Sequence, residues 1–398
     1  MMRSSAKQTD KGDTRVGAAS TWRVPLVDVR VDQELLEAAN DALASGWWSM
    51  GPRVDEFETS FARFVGARHG IAVSSGTAAL HLAVLAAGCG SGDEVIVPSL
   101  TFAAAANCVV AAGAQPVFCD IGPHDLNLDP EDVEAAVGPA TKALIVLHYG
   151  GFACDMDAVL EIAERHQLFV IEDCAHAPGA SVRGRRCGTF GDVGCFSFFA
   201  NKNLPIGEGG MIVTDDDVLA DRLRLLRSHG MTTVTWDRHR GHAAAYDVVL
   251  PGLNYRLDET RAAIGLVQLG RLVQRNDARA RIASCYRERL SGIVDGLLVP
   301  FPADDDSRRS SHHLSVVVLP SYADREHVRQ QMASKGVQTS VHYPPIHRFS
   351  AYEKTRRPLA VTEAVADRIL TLPLYPHLPD EGVDVVVDAL LGALDADG

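Results

Sequence analysis

The sequence predicts an α/β fold, in which a large domain built on a mostly parallel sheet flanked by helices is followed by a smaller C-terminal α+β domain. Three observations predict it. Short apolar, β-branched segments alternate with helical patterns through the middle of the chain, the pattern of parallel strands joined by helical crossovers. Those strand segments carry no polar face, as strands covered on both sides by helices require. After Leu257 the alternation stops and long helical patterns take over.

Taken in order, strands are expected at residues 94–98, 116–120, 143–148, 168–172, 194–199 and 210–214. Helices are expected between them at 78–87, 102–112, 130–137, 156–166 and 217–228, and Asp155 stands where it caps the fourth of these. Residues 258–289 read as two long helices with Arg271, Arg275, Arg279 and Arg281 on exposed faces. A polar stretch at 302–311 then precedes a strand at 314–319 and a helix at 324–335. The expected organisation is a disordered tail at 1–20, a large domain at 21–257 and a small domain at 258–398.

The 398 residues are 46% hydrophobic and 22% charged, enough apolar material for a sizeable core. Against 51 acidic side chains stand 38 Lys and Arg, a formal net charge of −13. Such a chain lacks the clustered positive charge that wrapping nucleic acid demands. The eight cysteines form no CxxC pair and several lie inside apolar strand segments, so they read as buried free thiols and not as a zinc or redox centre. The polar start of the chain has no secretory signal, and the longest apolar stretch, 103–112, is too short to span a bilayer. The expectation is a soluble cytoplasmic protein without a metal.

Three motifs stand where an open α/β sheet collects its ligands, beyond the carboxyl ends of the strands. Ser74-Ser75-Gly76-Thr77-Ala78-Ala79-Leu80 puts small and hydroxyl residues at the start of a helix. That is either an ordinary cap or a phosphate cradle made of unpaired amides at the positive end of the helix dipole. Val170-Ile171-Glu172-Asp173-Cys174-Ala175-His176 ends an apolar strand on an acid, which either caps a helix or keeps a pyridinium nitrogen protonated. Cys195-Phe196-Ser197-Phe198-Phe199-Ala200-Asn201-Lys202-Asn203-Leu204 places a lysine just past a strand and before Gly207-Glu208-Gly209-Gly210. It is either a surface lysine or a desolvated amine with the lowered pKa that Schiff-base chemistry needs.

Together, and in this order, the motifs resemble the DegT/DnrJ/EryC1/StrS family of sugar aminotransferases, which have the type I fold of pyridoxal-phosphate enzymes. The resemblance runs from about Pro25 and takes in Pro98-Ser99-Leu100-Thr101-Phe102, Asn254-Tyr255-Arg256-Leu257 and Val341-His342-Tyr343-Pro344-Pro345. It implies pyridoxal 5'-phosphate as cofactor, with Lys202 as its covalent anchor and proton carrier and Asp173 at the pyridine nitrogen. It implies His176 on one face of the ring, Phe102 near the other, and Gly76, Thr77 and Ser197 at the phosphate. Asn254 would reach that phosphate from the partner subunit of a homodimer with shared sites. Family members with histidine in place of the lysine dehydrate; this chain keeps Lys202, so transamination is expected.

Other patterns fail on context. Gly88, Gly90 and Gly92 follow a helix where a dinucleotide fingerprint follows a strand, and neither a Walker A nor an HExxH sequence occurs. His239 and His242 lack further ligands for a metal. Their segment, Trp236 to His242, either offers Arg238 and Arg240 to a substrate phosphate or is a solvated polar loop. His342 and Tyr343 are candidate substrate contacts; His312, His313 and His347 are either substrate contacts or surface residues. The expected reaction moves an amino group from glutamate or glutamine to a keto sugar, nucleotide-linked and 4-keto by preference, in amino-sugar or secondary-metabolite biosynthesis. The alternatives are a non-nucleotide ketone such as a cyclitol, or a non-catalytic sensor on the same fold. A sensor needs a broken site or a DNA-binding element, and the sequence has neither.

Overall fold

The computed structural model describes residues 21–233 and 245–397 of the chain. The expected tail and the segment carrying Arg238 and Arg240 lie outside the described residues. The central sheet consists of β1 (His69–Val73), β2 (Glu94–Pro98), β3 (Gln115–Cys119), β4 (Thr141–Leu147), β5 (Phe169–Asp173), β6 (Val193–Ser197) and β7 (Gly210–Thr214). They lie side by side in the order β1-β7-β6-β5-β4-β2-β3. Parallel pairing joins β3, β2, β4, β5 and β6; β7 runs antiparallel to both its neighbours and is the one reversed strand of this sheet.

The strands are apolar on both faces because both faces are covered. Ile71, Val95, Val97, Ile145, Ile171 and Ile212 point into one core, with α3 (Gly76–Ala86), α4 (Ala104–Ala111) and α7 (Asp217–Arg227). Their alternates Ile96, Leu144, Val146 and Val170 meet α5 (Pro130–Ala136) and α6 (Met156–His166) on the other side, the period-2 division that a pleated strand imposes. Asp155 caps α6, its carboxylate accepting from Ala158 N. Two further helices, α1 (Gln33–Ala44) and α2 (Pro52–Val65), precede the sheet.

Residues Glu259–Leu290 form one 32-residue helix, α8, where two were expected. Gly265 does not break it. The ring of Phe57 on α2 lies 2.8 Å from where a Gly265 Cβ would sit, so the glycine permits close packing that outweighs its poor helix propensity. Leu272 belongs to the core under α2, whereas Ile282, Tyr286 and Leu290 belong to a second core with β8 (Ser315–Val318), α9 (Arg325–Ser334), β9 (Ile369–Leu372) and α11 (Asp380–Asp397). Between α9 and α11 in sequence stands the short α10 (Ala360–Ala366). We keep the division at residues 257 and 258 as a proposal, with α8 entering both cores. Arg279, expected on an exposed face, is buried between them and donates to Leu374 O at 2.8 Å. Burial pushes its guanidinium down to about 10.

One buried clip fixes the carboxyl end of β5, where the site is built. Glu172 accepts from the backbone amides of Gly188, Phe190 and Gly191 and lies 2.9 Å from His148 Nε2. His148 Nδ1 accepts from Cys154 N, so Nε2 carries the ring proton and donates to Glu172. Four donors saturate the two carboxylate oxygens, two each. Cys174 also lies in this group, but its neighbours' lone pairs are already engaged.

Candidate active site

The three motifs meet at the carboxyl end of the parallel strands. The loops after β1, β2, β5 and β6 bring Gly76, Thr77, Phe102, Asp173, His176, Ser197 and Lys202 around one cleft of about 400 Å³, and His342 and Tyr343 close it from the C-terminal part of the chain. Two larger surface hollows, bordered by Asp192 and Asp215 and by Asp93 and Lys354, gather no comparable set of groups.

The floor is the start of α3. Ser75 caps it, its hydroxyl accepting from Ala78 N at 3.0 Å. The first-turn amides of a helix have no partners within it and point out from its positive end. A Cβ on Gly76 would lie 2.7 Å from Ser197 Cβ, so only glycine lets the helix start and the end of β6 come this close.

Asp173 and Lys202 are the opposed charges of the cleft. Asp173 is 6% exposed. Its side chain takes one backbone donor, Ala175 N at 3.0 Å. Burial raises its pKa, only partly countered by that bond and by the charge of Lys202. Lys202 is carried on a turn closed by its own amide onto Phe199 O at 2.9 Å. Burial brings its amine down to about 8, with Asp173 opposing the shift.

Around them stand histidines held neutral. His176 accepts from Gly150 N at Nδ1, so Nε2 bears the proton and donates to Tyr343 Oη at 2.9 Å. The two rings lie 5.9 Å apart and nearly parallel, at 17°. Burial first, then the charge of Lys202, pushes His176 well below its usual range. The same causes bring His342 down to about 4. His342 is tied through Nδ1 to Thr371 Oγ1 at 3.0 Å, and its backbone oxygen receives the Tyr149 hydroxyl. Phe102 is 61% exposed at the mouth, its ring 6.1 Å from that of Tyr343.

Not every expected residue arrives here. Asn254 is exposed, bridged to Ser228, and absent from the lining of its own chain's cleft. His312 and His347 are neither surface residues nor cleft residues: His312 is buried beside Asp304, and His347 is buried between Ser99 and Glu363. His313 is buried and faces Lys202 Nζ at 3.5 Å. Sequence reasoning missed Asn201, whose Oδ1 is buried in the cleft with no hydrogen-bond partner. Its signal was its place beside Lys202.

These groups fit the expected cofactor. The glycine-floored cradle suits a phosphate, the buried carboxyl a cationic ring nitrogen, the low-pKa amine an aldehyde, and Asn201 Oδ1 remains open to a donor. Without a bound partner the buried amine costs stability. Below about pH 8 Lys202 is protonated in both the folded and unfolded chain, and the folded state bears the full cost. Between about 8 and 10.5 the unfolded chain binds the extra proton, so stability rises with pH. Lys202→Met in cofactor-free protein is therefore expected to raise stability at pH 7 by up to about 3 kcal/mol, a gain that shrinks toward pH 10. Urea denaturation at both pH values measures it; a pH-independent gain contradicts the assignment.

The chain matches the DegT/DnrJ/EryC1/StrS aminotransferase family over residues 29–391. It is 42% identical over 372 residues to the spore coat polysaccharide biosynthesis protein SpsC of Bacillus subtilis (strain 168), covering 90% of this chain and 94% of SpsC. It superposes on DesV of S. venezuelae with a TM-score of 0.86 at 37% identity, covering 94% of this chain and 99% of DesV. It also superposes on the PLP-form of Streptococcus pneumoniae Spr1654 with a TM-score of 0.87 at 26% identity, covering 94% and 99%. The residues of the cleft, the sheet that carries them and these likenesses agree: the chain belongs to the DegT/DnrJ/EryC1/StrS family and is a pyridoxal-phosphate-dependent aminotransferase.

Proposed function

We propose that this aminotransferase takes an amino group from glutamate or glutamine and delivers it to a nucleotide-linked keto sugar, with a 4-keto sugar as the preferred acceptor. The observation that carries the reading is the convergence of Lys202, Asp173 and the Gly76 cradle on one cleft. The sugar is supported by the relatives: SpsC bears the name of a polysaccharide biosynthesis protein, and Helicobacter pylori PseC, 26% identical, that of an aminotransferase of pseudoaminic acid biosynthesis.

Bound pyridoxal phosphate supplies an electron sink and a carrier for the amino group between donor and acceptor. The protein's part follows from its own groups. Asp173, whose charge burial disfavours, is stable as a carboxylate beside a cation, so it would hold the ring nitrogen protonated. Lys202, whose amine burial brings down to about 8, would take the proton from the substrate carbon and return it. Gly76, Thr77 and Ser197 would hold the phosphate. His176, neutral and tethered at both nitrogens, would pack on the ring without competing for the proton. His342, Tyr343 and the Arg238 and Arg240 segment would contact the acceptor.

The position of Asn254, exposed and outside its own chain's cleft, supports a homodimer in which it serves the partner's phosphate site. We place this enzyme in the cytoplasm; no helix among the described residues is long and apolar enough to cross a membrane.

Mass spectrometry of purified enzyme with keto acceptors is expected to show amination of nucleotide-linked 4-keto sugars at least about tenfold more efficiently (a difference of ~1.4 kcal/mol) than the same sugars without the nucleotide. Equal efficiency on a free cyclitol ketone would favour the other acceptor class. Subunit exchange between inactive Lys202→Ala and inactive Asn254→Ala chains should restore activity, since one composite site is then intact. Proven heterodimers that stay inactive would mean that each site is built within one chain.

A further inference from the structure

We infer that His313 positions the Lys202 amine, its Nε2 accepting one Lys202 hydrogen whenever that amine is not bonded to the cofactor. The inference rests on the proposed role of Lys202 as proton carrier. It starts from a chain of buried hydrogen bonds whose direction is forced. Asn276 Nδ2 donates to Pro178 O at 2.9 Å, and Asn203 Nδ2 donates to Ser311 O at 2.6 Å. A backbone carbonyl only accepts, so these two contacts fix which end of each amide is nitrogen. Asn203 Nδ2 also donates to Asn276 Oδ1 at 2.9 Å, consistent with both assignments. Asn203 therefore turns its oxygen to His313 Nδ1, 3.0 Å away. An oxygen there requires a hydrogen on Nδ1. His313 is held as the Nδ1–H tautomer, and its Nε2 is a bare lone pair aimed at Lys202 Nζ, 3.5 Å away.

The neighbouring ring is set the other way. His176 bears its proton on Nε2, and the two ring centres lie 4.5 Å apart. Burial, then the charge of Lys202, keeps His313 neutral, so it does not carry the transferred proton away. Its use is directional. A neutral lysine amine has two hydrogens and one lone pair; fixing one hydrogen on His313 restricts where the lone pair points. General-base transfer requires that alignment. Nothing else in the described structure is hydrogen-bonded to Nζ, so without His313 the amine is free to rotate about its last bond.

Two measurements test this. In cofactor-free enzyme labelled with ¹⁵N-histidine, the His313 resonances, assigned by their loss in His313→Gln, should show a protonated Nδ1 and an unprotonated Nε2 at pH 6 through 8. An Nε2–H or a charged ring overturns the inference, whatever the activity. In loaded enzyme, His313→Phe should slow the single-turnover reaction with glutamate by up to roughly tenfold, the upper effect of losing one hydrogen bond. It should enlarge the isotope effect from glutamate deuterated at Cα, with cofactor affinity unchanged. His313→Gln offers an oxygen to Lys202 and an NH₂ to Asn203, and should recover most of the rate. A parental rate in the Phe variant, or a Gln variant as slow as Phe, contradicts positioning. Failure of the underlying reading is separate: it appears as normal turnover in Lys202→Ala, with the His313 tautomer as described.

Discussion

The structure around the cleft depends on keeping one carboxyl and one amine ionisable where water solvates neither well. Burial alone drives Asp173 and Lys202 toward their neutral forms, and each partly restores the other's charge. Left empty, such a site costs stability. Filled by a group with a cationic ring nitrogen, an aldehyde and a phosphate, it converts that cost into binding and reactivity. The same desolvation that destabilises the bare protein brings the lysine toward the neutral range, as the proposed role of base requires.

The rest of the fold holds these two groups at a fixed separation. Asp173 ends β5, and its neighbour Glu172 pins that end by accepting three amides and the His148 proton. Lys202 rides on the loop after β6, and Asn203 directly behind it is locked to Ser311 and Asn276. Tyr149 holds the backbone of His342, and His176 holds the hydroxyl of Tyr343, so the C-terminal segment reaches the cleft as a second rigid wall. The histidines of that wall are neutral, which leaves Lys202 as the cation facing Asp173 among the described cleft residues.

Much of this was legible in the sequence, for physical reasons that also mark its limits. Strands buried on both faces announce themselves as apolar runs, and β2 and β7 have the expected bounds. β1 went unseen because His69 and Gly70 weaken its pattern. A single long α8 went unseen because Gly265 reads as a weak point until Phe57 is placed against it. Arg279 looked exposed because helical periodicity records one apolar stripe, whereas α8 passes between two cores. In the site, the meeting of Lys202 and Asp173 in one cleft was legible from their places just past and at strand ends. The facing of His313 toward Lys202 was not, since it is fixed by Asn203, Asn276 and two carbonyls far apart in the chain.

The central claim is that Asp173, made costly by burial, holds the cofactor's ring nitrogen protonated. The direct measurement is the ¹⁵N NMR shift of ring-labelled pyridoxal phosphate bound to the parent enzyme and to Asp173→Asn. The account predicts a protonated nitrogen in the parent across the neutral range and an unprotonated one in the variant, with turnover lowered by roughly 10²-fold, as when one key electrostatic partner is lost. An unprotonated nitrogen in the parent, or the same protonation in both, would contradict it.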